Sequence, residues 1–163
     1  MLQVQAAGVR AENCMADLLQ KARIRNASPD FDADNLRVVA QMIDSKRYAK
    51  CDKHRILAKC NAAQLLDFVY GVDHVIDVGE NIYVGIDLTL DSFSVSSKIR
   101  KAMGLRQLRE SIGIHDHFVV HMVGDFQCPN PEVVKQSIED FWQAMAEAIN
   151  SHASVHCFRF HVS

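Results

Sequence analysis

At Gly71 the spacing of apolar residues changes period, from the three-to-four-residue repeat of helices to the two-residue alternation of strands. A chain with that switch has to combine helices with a sheet, and the order of the two is set by the sequence. Before the switch, residues 10–24 carry Met15, Leu18, Leu19 and Ala22 at helical spacing. A loop over 26–34 offers Asp30, Asp32 and Asp34 as N-caps for a helix bearing Leu36, Val39, Ala40 and Ile43. Residues 52–70 are expected as one helix, with Ile56, Cys60, Ala63 and Leu66 as its stripe and Gly71 as its stop.

Beyond the switch, 72–78 and 81–90 are rich in Val, Ile, Tyr and Thr and are joined by Gly79-Glu80-Asn81, which predicts a hairpin. A basic amphipathic helix is expected over 95–111, with Ile99, Met103, Leu105 and Leu108 as its apolar side. The run from Phe118 to Val123 is apolar enough for a strand buried on both faces. Asn130 and Pro131 suit the start of a helix reaching about residue 150, with Val134, Ile138, Phe141, Met145 and Ala148 inward. A last strand over 155–162 puts His156, Phe158, Phe160 and Val162 on one face and Cys157, Arg159 and His161 on the other. Because each of the two later strands is reached through a helix, the order predicts an α/β fold, a central mixed β-sheet with helices on both faces.

The chain has 163 residues, 48% of them hydrophobic, enough for one domain whose core needs no metal or disulfide staple. We read 1–163 as a single domain, with a helical part over 1–62 and an α/β core over 63–163. No apolar run approaches the ~20 residues that cross a bilayer, and the N-terminus lacks a secretory pattern, so a cytoplasmic protein with no membrane partner is expected. The five cysteines are scattered and odd in number, which predicts reduced, mostly buried thiols. A net charge of -2 gives no long-range attraction for polyanions, so any nucleic-acid site must be a local patch.

The hairpin carries the chemistry. Alternation places Asp73, Val75 and Asp77 on one face of its first strand and Tyr83, Gly85, Asp87 and Thr89 on one face of its second. If Gly79-Glu80-Asn81 is a three-residue loop, Asp77 falls opposite Tyr83 and Asp73 opposite Asp87. Directly opposed side chains have Cβ atoms about 4.5–5.5 Å apart, and two carboxylates at that distance need a shared proton or a cation. Oxygen donors of this kind suit Mg²⁺ or Mn²⁺. Asp77 is the alternative first acid, and Asp91 is a further spare acid nearby.

In these residues the chain resembles the PD-(D/E)xK nuclease superfamily, which includes restriction endonucleases, Holliday-junction resolvases and some homing endonucleases. Asp73 matches the acid that begins one strand, Asp87 the acid of the acidic-x-Lys triplet and Leu88 its x, while 63–123 supplies helix, hairpin, helix and strand in order. Val72 stands where the pattern often has Pro, and Thr89 where it has the catalytic Lys. Members of the family sometimes carry that cation on the following helix, where Lys98 and Lys101 are candidates. The resemblance implies a restriction-endonuclease-like core and Mg²⁺- or Mn²⁺-dependent DNA hydrolysis. Asp73, Asp87 and the Leu88 carbonyl would be the metal ligands, with Thr89 positioning water and Lys98 supplying the cation. A catalytically inactive domain of the same fold that binds nucleic acid or a protein is the alternative, and an unrelated partner-binding α/β protein is a third.

Two basic clusters flank the hairpin. Lys98, Arg100, Lys101, Arg106 and Arg109 form one, and Lys46, Arg47, Lys50, Lys53, Arg55 and Lys59 the other. Lys50, Lys53 and Arg55, with the five basic residues of the 95–111 helix, are the expected phosphate contacts. One site cuts one strand, so duplex cleavage implies a homodimer or higher homo-oligomer. His115, His117 and His121 share parity, but the apolar run between them favours satisfied or surface histidines over a metal site. Trp142 is expected in the core or at a contact between copies.

Overall fold

The structure is a computed structural model that describes residues 2–163, with side chains from residue 9 onward. Four helices precede the sheet: α1 (Leu2–Lys21), α2 (Ala33–Ile43), α3 (Ser45–Cys51) and α4 (Ala62–Phe68). The hairpin β1 (His74–Asp77) and β2 (Tyr83–Thr89) follows, then α5 (Val95–Gly104), α6 (Arg106–Glu110), β3 (Ile114–Val123), α7 (Pro131–Ile149) and β4 (Val155–His161). The fold is α/β: β1 to β4 form one mixed sheet in that order, antiparallel between β1 and β2 and parallel from β2 to β3 and from β3 to β4.

The alternation read along each strand separates two cores. Ile76, Val84, Ile86, Phe118, Val120 and Phe160 pack against Met15 and Leu18 of α1 and Phe141 and Met145 of α7. On the other face Val75 and Tyr83 meet Leu36, Leu65, Leu66, Tyr70, Leu105 and Leu108, carried by the α2–α4 region and by the α5–α6 junction. Helices therefore cover both faces, as the connectivity demands.

Local chemistry explains the boundaries. Asp32 caps α2 by accepting from Asn35 N at 3.1 Å, and Asn130 caps α7 by accepting from Glu132 N at 3.0 Å, with Pro131 in the first turn. The expected single helix over 52–70 is corrected to α3, a turn, a 3-10 segment Leu57–Lys59, and α4. Arg55 takes a φ of 56°, Asp52 accepts from Leu57 N at 3.0 Å, and Asn61 opens α4 with a capping box. Arg37 from α2 holds the connection by donating to Leu57 O at 2.9 Å and Cys60 O at 2.6 Å. Ile56 is exposed rather than part of a stripe. The expected helix over 95–111 is likewise two helices, breaking at Gly104-Leu105.

Among the described residues no helix is long and apolar enough to cross a membrane. The cysteines are free, but Cys60 alone is buried, with Cys128 and Cys157 exposed, which corrects the expectation of mostly buried thiols. Trp142 is 39% exposed on α7 and so is not a core residue.

Candidate active site

The turn sets the register. Gly79, Glu80 and Asn81 take φ values of 100°, 54° and 61°, and Val78 N donates to Ile82 O at 3.0 Å, closing the three-residue loop. Asp77 then pairs with Tyr83 and His74 with Ile86; Asp73 lies one residue beyond this ladder, its N–H donating to Ile86 O at 2.8 Å. Positive φ at two non-glycine residues, Glu80 and Asn81, is a local cost of this loop.

The two carboxyl groups lie within hydrogen-bonding reach of each other. Asp73 Oδ2 also accepts from Leu88 N at 2.7 Å. Burial, and then the negative charge of Asp87, push the Asp73 carboxyl up to about 8, against the lowering effect of the Leu88 N–H. Such a group is protonated at neutral pH unless a cation replaces the proton. Asp87, buried on β2, accepts from Lys98 Nζ at 2.7 Å, so the first turns of α5 deliver an ammonium group to the acid pair.

Two further acids join them. Asp67, in the last turn of α4, is within hydrogen-bonding reach of Asp73; its own carboxyl is raised by burial and by Asp87, with Lys101 and Lys98 opposing. Glu12 of α1 is raised by burial and by the charges of Asp67 and Asp87, with Lys98 opposing. Neither was singled out in the sequence. Asp67 had one signal, an acid in the last turn of a helix, where the helix dipole disfavours it. Glu12 had none, because only the packing of α1 brings it near.

The other expected site residues divide. Asp77 is engaged elsewhere: its Oδ1 accepts from Gly79 N at 2.8 Å and its Oδ2 faces Arg25 at 3.4 Å, so it belongs to the hairpin turn and not to the pair. Thr89 Oγ1 accepts from Asp91 N and donates to Asp91 O, both at 3.2 Å, so its hydroxyl proton is engaged by the turn. Asp91 itself caps the turn into α5. Lys101 runs alongside Gly71, towards Asp67, and Arg100 is exposed.

Arg109 is corrected: it is 2% exposed, donates to Ala102 O at 2.5 Å and cannot contact phosphate. Arg106 is paired with Glu110 at 2.7 Å, and Arg47 donates to Val69 O at 3.0 Å, while Lys50, Lys53 and Arg55 stand free of ion pairs among the described residues. His117 is neither satisfied nor on the surface. It is 1% exposed, neither ring nitrogen has a partner, and burial holds it neutral, down to about 3. Its ring lies over Gly85, where an added Cβ would sit 2.7 Å from His117 Nδ1.

Among the described residues no group of three or more His, Cys, Asp or Glu side chains is arranged to hold an ion. The donor set that remains is smaller: Asp73, which holds a proton that a cation could replace, and Asp87, which is paired with Lys98. Mg²⁺ is commonly held by one or two carboxylates and completes its shell with water, so the residues present suit it.

Comparison of the chain with protein-family models, with curated proteins and with solved structures found no match.

Proposed function

We propose that the protein is a Mg²⁺- or Mn²⁺-dependent DNA endonuclease, similar in its site to the PD-(D/E)xK nucleases. The observation that carries the reading is the interacting pair of acids Asp73 and Asp87 with Lys98 Nζ 2.7 Å from Asp87. Asp73, Asp87 and the Leu88 carbonyl would hold the cation. When bound, that cation supplies charge neutralisation at the scissile phosphate and a lowered pKa for the attacking water.

The chain's own residues do the rest. Asp73, which holds a proton in the free site, would give it up on holding the cation and become anionic. Lys98, beside Asp87 at 2.7 Å, would offer its ammonium to the charge that develops on the phosphate oxygens. It thus stands in, from α5, for the lysine that Thr89 replaces on β2. The exposed Arg100, Lys101, Lys50, Lys53 and Arg55 supply phosphate contacts for the backbone on either side. The site lies on one chain and cuts one strand, so a duplex break requires two copies, a homodimer being the simplest arrangement.

A second reading is favoured by Thr89, whose hydroxyl is engaged with the Asp91 backbone. In it the fold keeps the acids but has lost hydrolysis, and it binds nucleic acid or a protein. Incubating supercoiled, linear duplex and single-stranded DNA with Mg²⁺ or Mn²⁺ separates the two, with Asp87→Ala as comparison. Metal-dependent cutting that disappears in the variant supports the endonuclease, and no cutting by either protein supports the inactive domain.

A further inference from the structure

The turn that leads from β2 into α5 displays an aromatic ring to solvent. Phe93 is 91% exposed, more than any other large hydrophobic side chain among the described residues. A phenylalanine normally contributes to stability by burying its ring, so a bare one has to be held out by its backbone. Asp91 does this: its Oδ1 accepts from Phe93 N at 2.8 Å, its Oδ2 accepts from Ser94 Oγ at 3.1 Å, and its carbonyl accepts from Ser94 N at 3.1 Å. Thr89 anchors Asp91 in turn, through the paired bonds at 3.2 Å. The ring is therefore presented by a hydrogen-bonded turn whose two ends carry Asp87 and Lys98.

A basic row lies on the same face of the sheet as Asp87. One pleat towards the strand ends, Thr89 is the register partner of His121, and His121 of Arg159 on β4. Arg159 is exposed and His121 half-buried, and neither makes an ion pair or side-chain hydrogen bond among the described residues. Two strand spacings, about 10 Å, take the row from Thr89, which anchors the Asp91 turn, to Arg159 on the edge strand β4. An aromatic platform beside a basic track is the combination that binds single strands, because every base has a face to stack and every nucleotide a phosphate to neutralise. In duplex DNA the base faces are already stacked on their neighbours, and an exposed phenyl has nothing to cover.

We infer that the strand the site acts on is unpaired DNA, with one base stacked on Phe93 and neighbouring phosphates on Arg159 and His121. The inference rests on the endonuclease reading for its chemistry, and it removes the need for a second copy, since an unpaired strand is cut once.

Binding in EDTA, where no strand is cut, tests it on the full chain. The probes are a short oligo-dT carrying 2-aminopurine and the same length of duplex. The native protein should prefer the single strand and quench the 2-aminopurine as the base stacks. Phe93→Ala should weaken single-strand binding by roughly five- to a hundredfold and abolish the quench, leave duplex binding unchanged, and be rescued by Phe93→Trp. Arg159→Ala should weaken binding without abolishing the quench. Because Phe93 is exposed, an unchanged thermal midpoint confirms that Phe93→Ala is folded. Equal affinity for single strand and duplex, or a Phe93→Ala variant that binds and quenches as the native protein does, overturns the inference even if the acid pair cuts DNA. Conversely, Phe93-dependent single-strand binding with no cutting on any substrate supports the inference as a binding site and sinks the endonuclease reading alone.

Discussion

Lys98 Nζ donates to Asp87 Oδ1 at 2.7 Å, across a gap of eleven residues that the chain closes through a capped turn and the start of α5. That contact places a cation where the β2 position beside Leu88 holds only Thr89. Lys98→Ala should lower the single-turnover rate of metal-dependent cleavage by about a hundredfold or more, the usual scale for removing one group that stabilises transition-state charge. Lys101→Ala, whose side chain runs along Gly71 towards Asp67, should cost far less. A Lys98→Ala rate within a few-fold of native would assign the cation elsewhere.

Protonation of Asp73 links stability to pH. Its carboxyl is raised from 3.8 to about 8 in the folded chain, so the native state holds a proton that the unfolded state has released, and stability falls as pH rises towards 8. His117 works oppositely: lowered from 6.5 to about 3, it stays neutral in the fold, so the unfolded state gains a proton, and stability falls, as pH drops below 6.5. The window from 6.5 to 8 isolates the carboxyl from this opposing effect. In EDTA the thermal midpoint should fall across that window by several degrees, and Asp73→Asn should flatten the slope. Saturating Mg²⁺ should restore the midpoint most at the upper end, because the cation then replaces a proton already lost. A native slope equal to that of Asp73→Asn would contradict this account.

Gly85 and His117 occupy one space. Gly85→Ala would bring a Cβ to 2.7 Å from His117 Nδ1 and 3.3 Å from Ile114 Cγ2, so about 1–3 kcal/mol of destabilisation is expected from overpacking. In a His117→Ala background the same change should cost clearly less, a coupling that a double-mutant cycle by urea denaturation would read. Additive effects would mean that the ring is not the obstacle.

The basic residues should sort by exposure. Replacing Arg100 or Lys101 by Ala should weaken DNA binding and reduce the magnitude of the salt slope by about 0.7–0.9 per contact. Lys50, Lys53 and Arg55 should behave in the same way if the polyanion reaches α3. Arg47→Ala, which removes the bond to Val69 O, should lower the denaturation midpoint and leave the salt slope unchanged. Fluorescence anisotropy over a salt series measures all of these.

The hairpin was legible because its evidence is local: a three-residue loop with glycine first, alternation on both sides, and a register that follows from them. The mixed sheet was legible for a similar reason, since a helix between two strands leaves little choice but a parallel crossover. The break in the expected 52–70 helix was not legible. Arg37, far away in sequence, draws the carbonyls of Leu57 and Cys60 out of helical geometry, and periodicity does not register such a contact. Arg109 was misread for a related reason: a basic residue in a basic run looks solvated until α6 folds it under α5. Glu12 and Asp67 approach the acid pair only through packing, so no local pattern marks Glu12, and the helix-end acid at Asp67 gave the only hint.

The central claim is that Asp73 and Asp87 together hold a divalent cation. Titration of the native protein with Mn²⁺, followed by electron paramagnetic resonance of the free ion, tests it without requiring a substrate. The account predicts saturable Mn²⁺ binding that Asp73→Asn and Asp87→Asn each abolish and Asp77→Asn leaves intact, since Asp77 is held in the hairpin turn by Gly79 and Arg25. No saturable binding by the native protein, or binding lost with Asp77 and kept without Asp73, would contradict it.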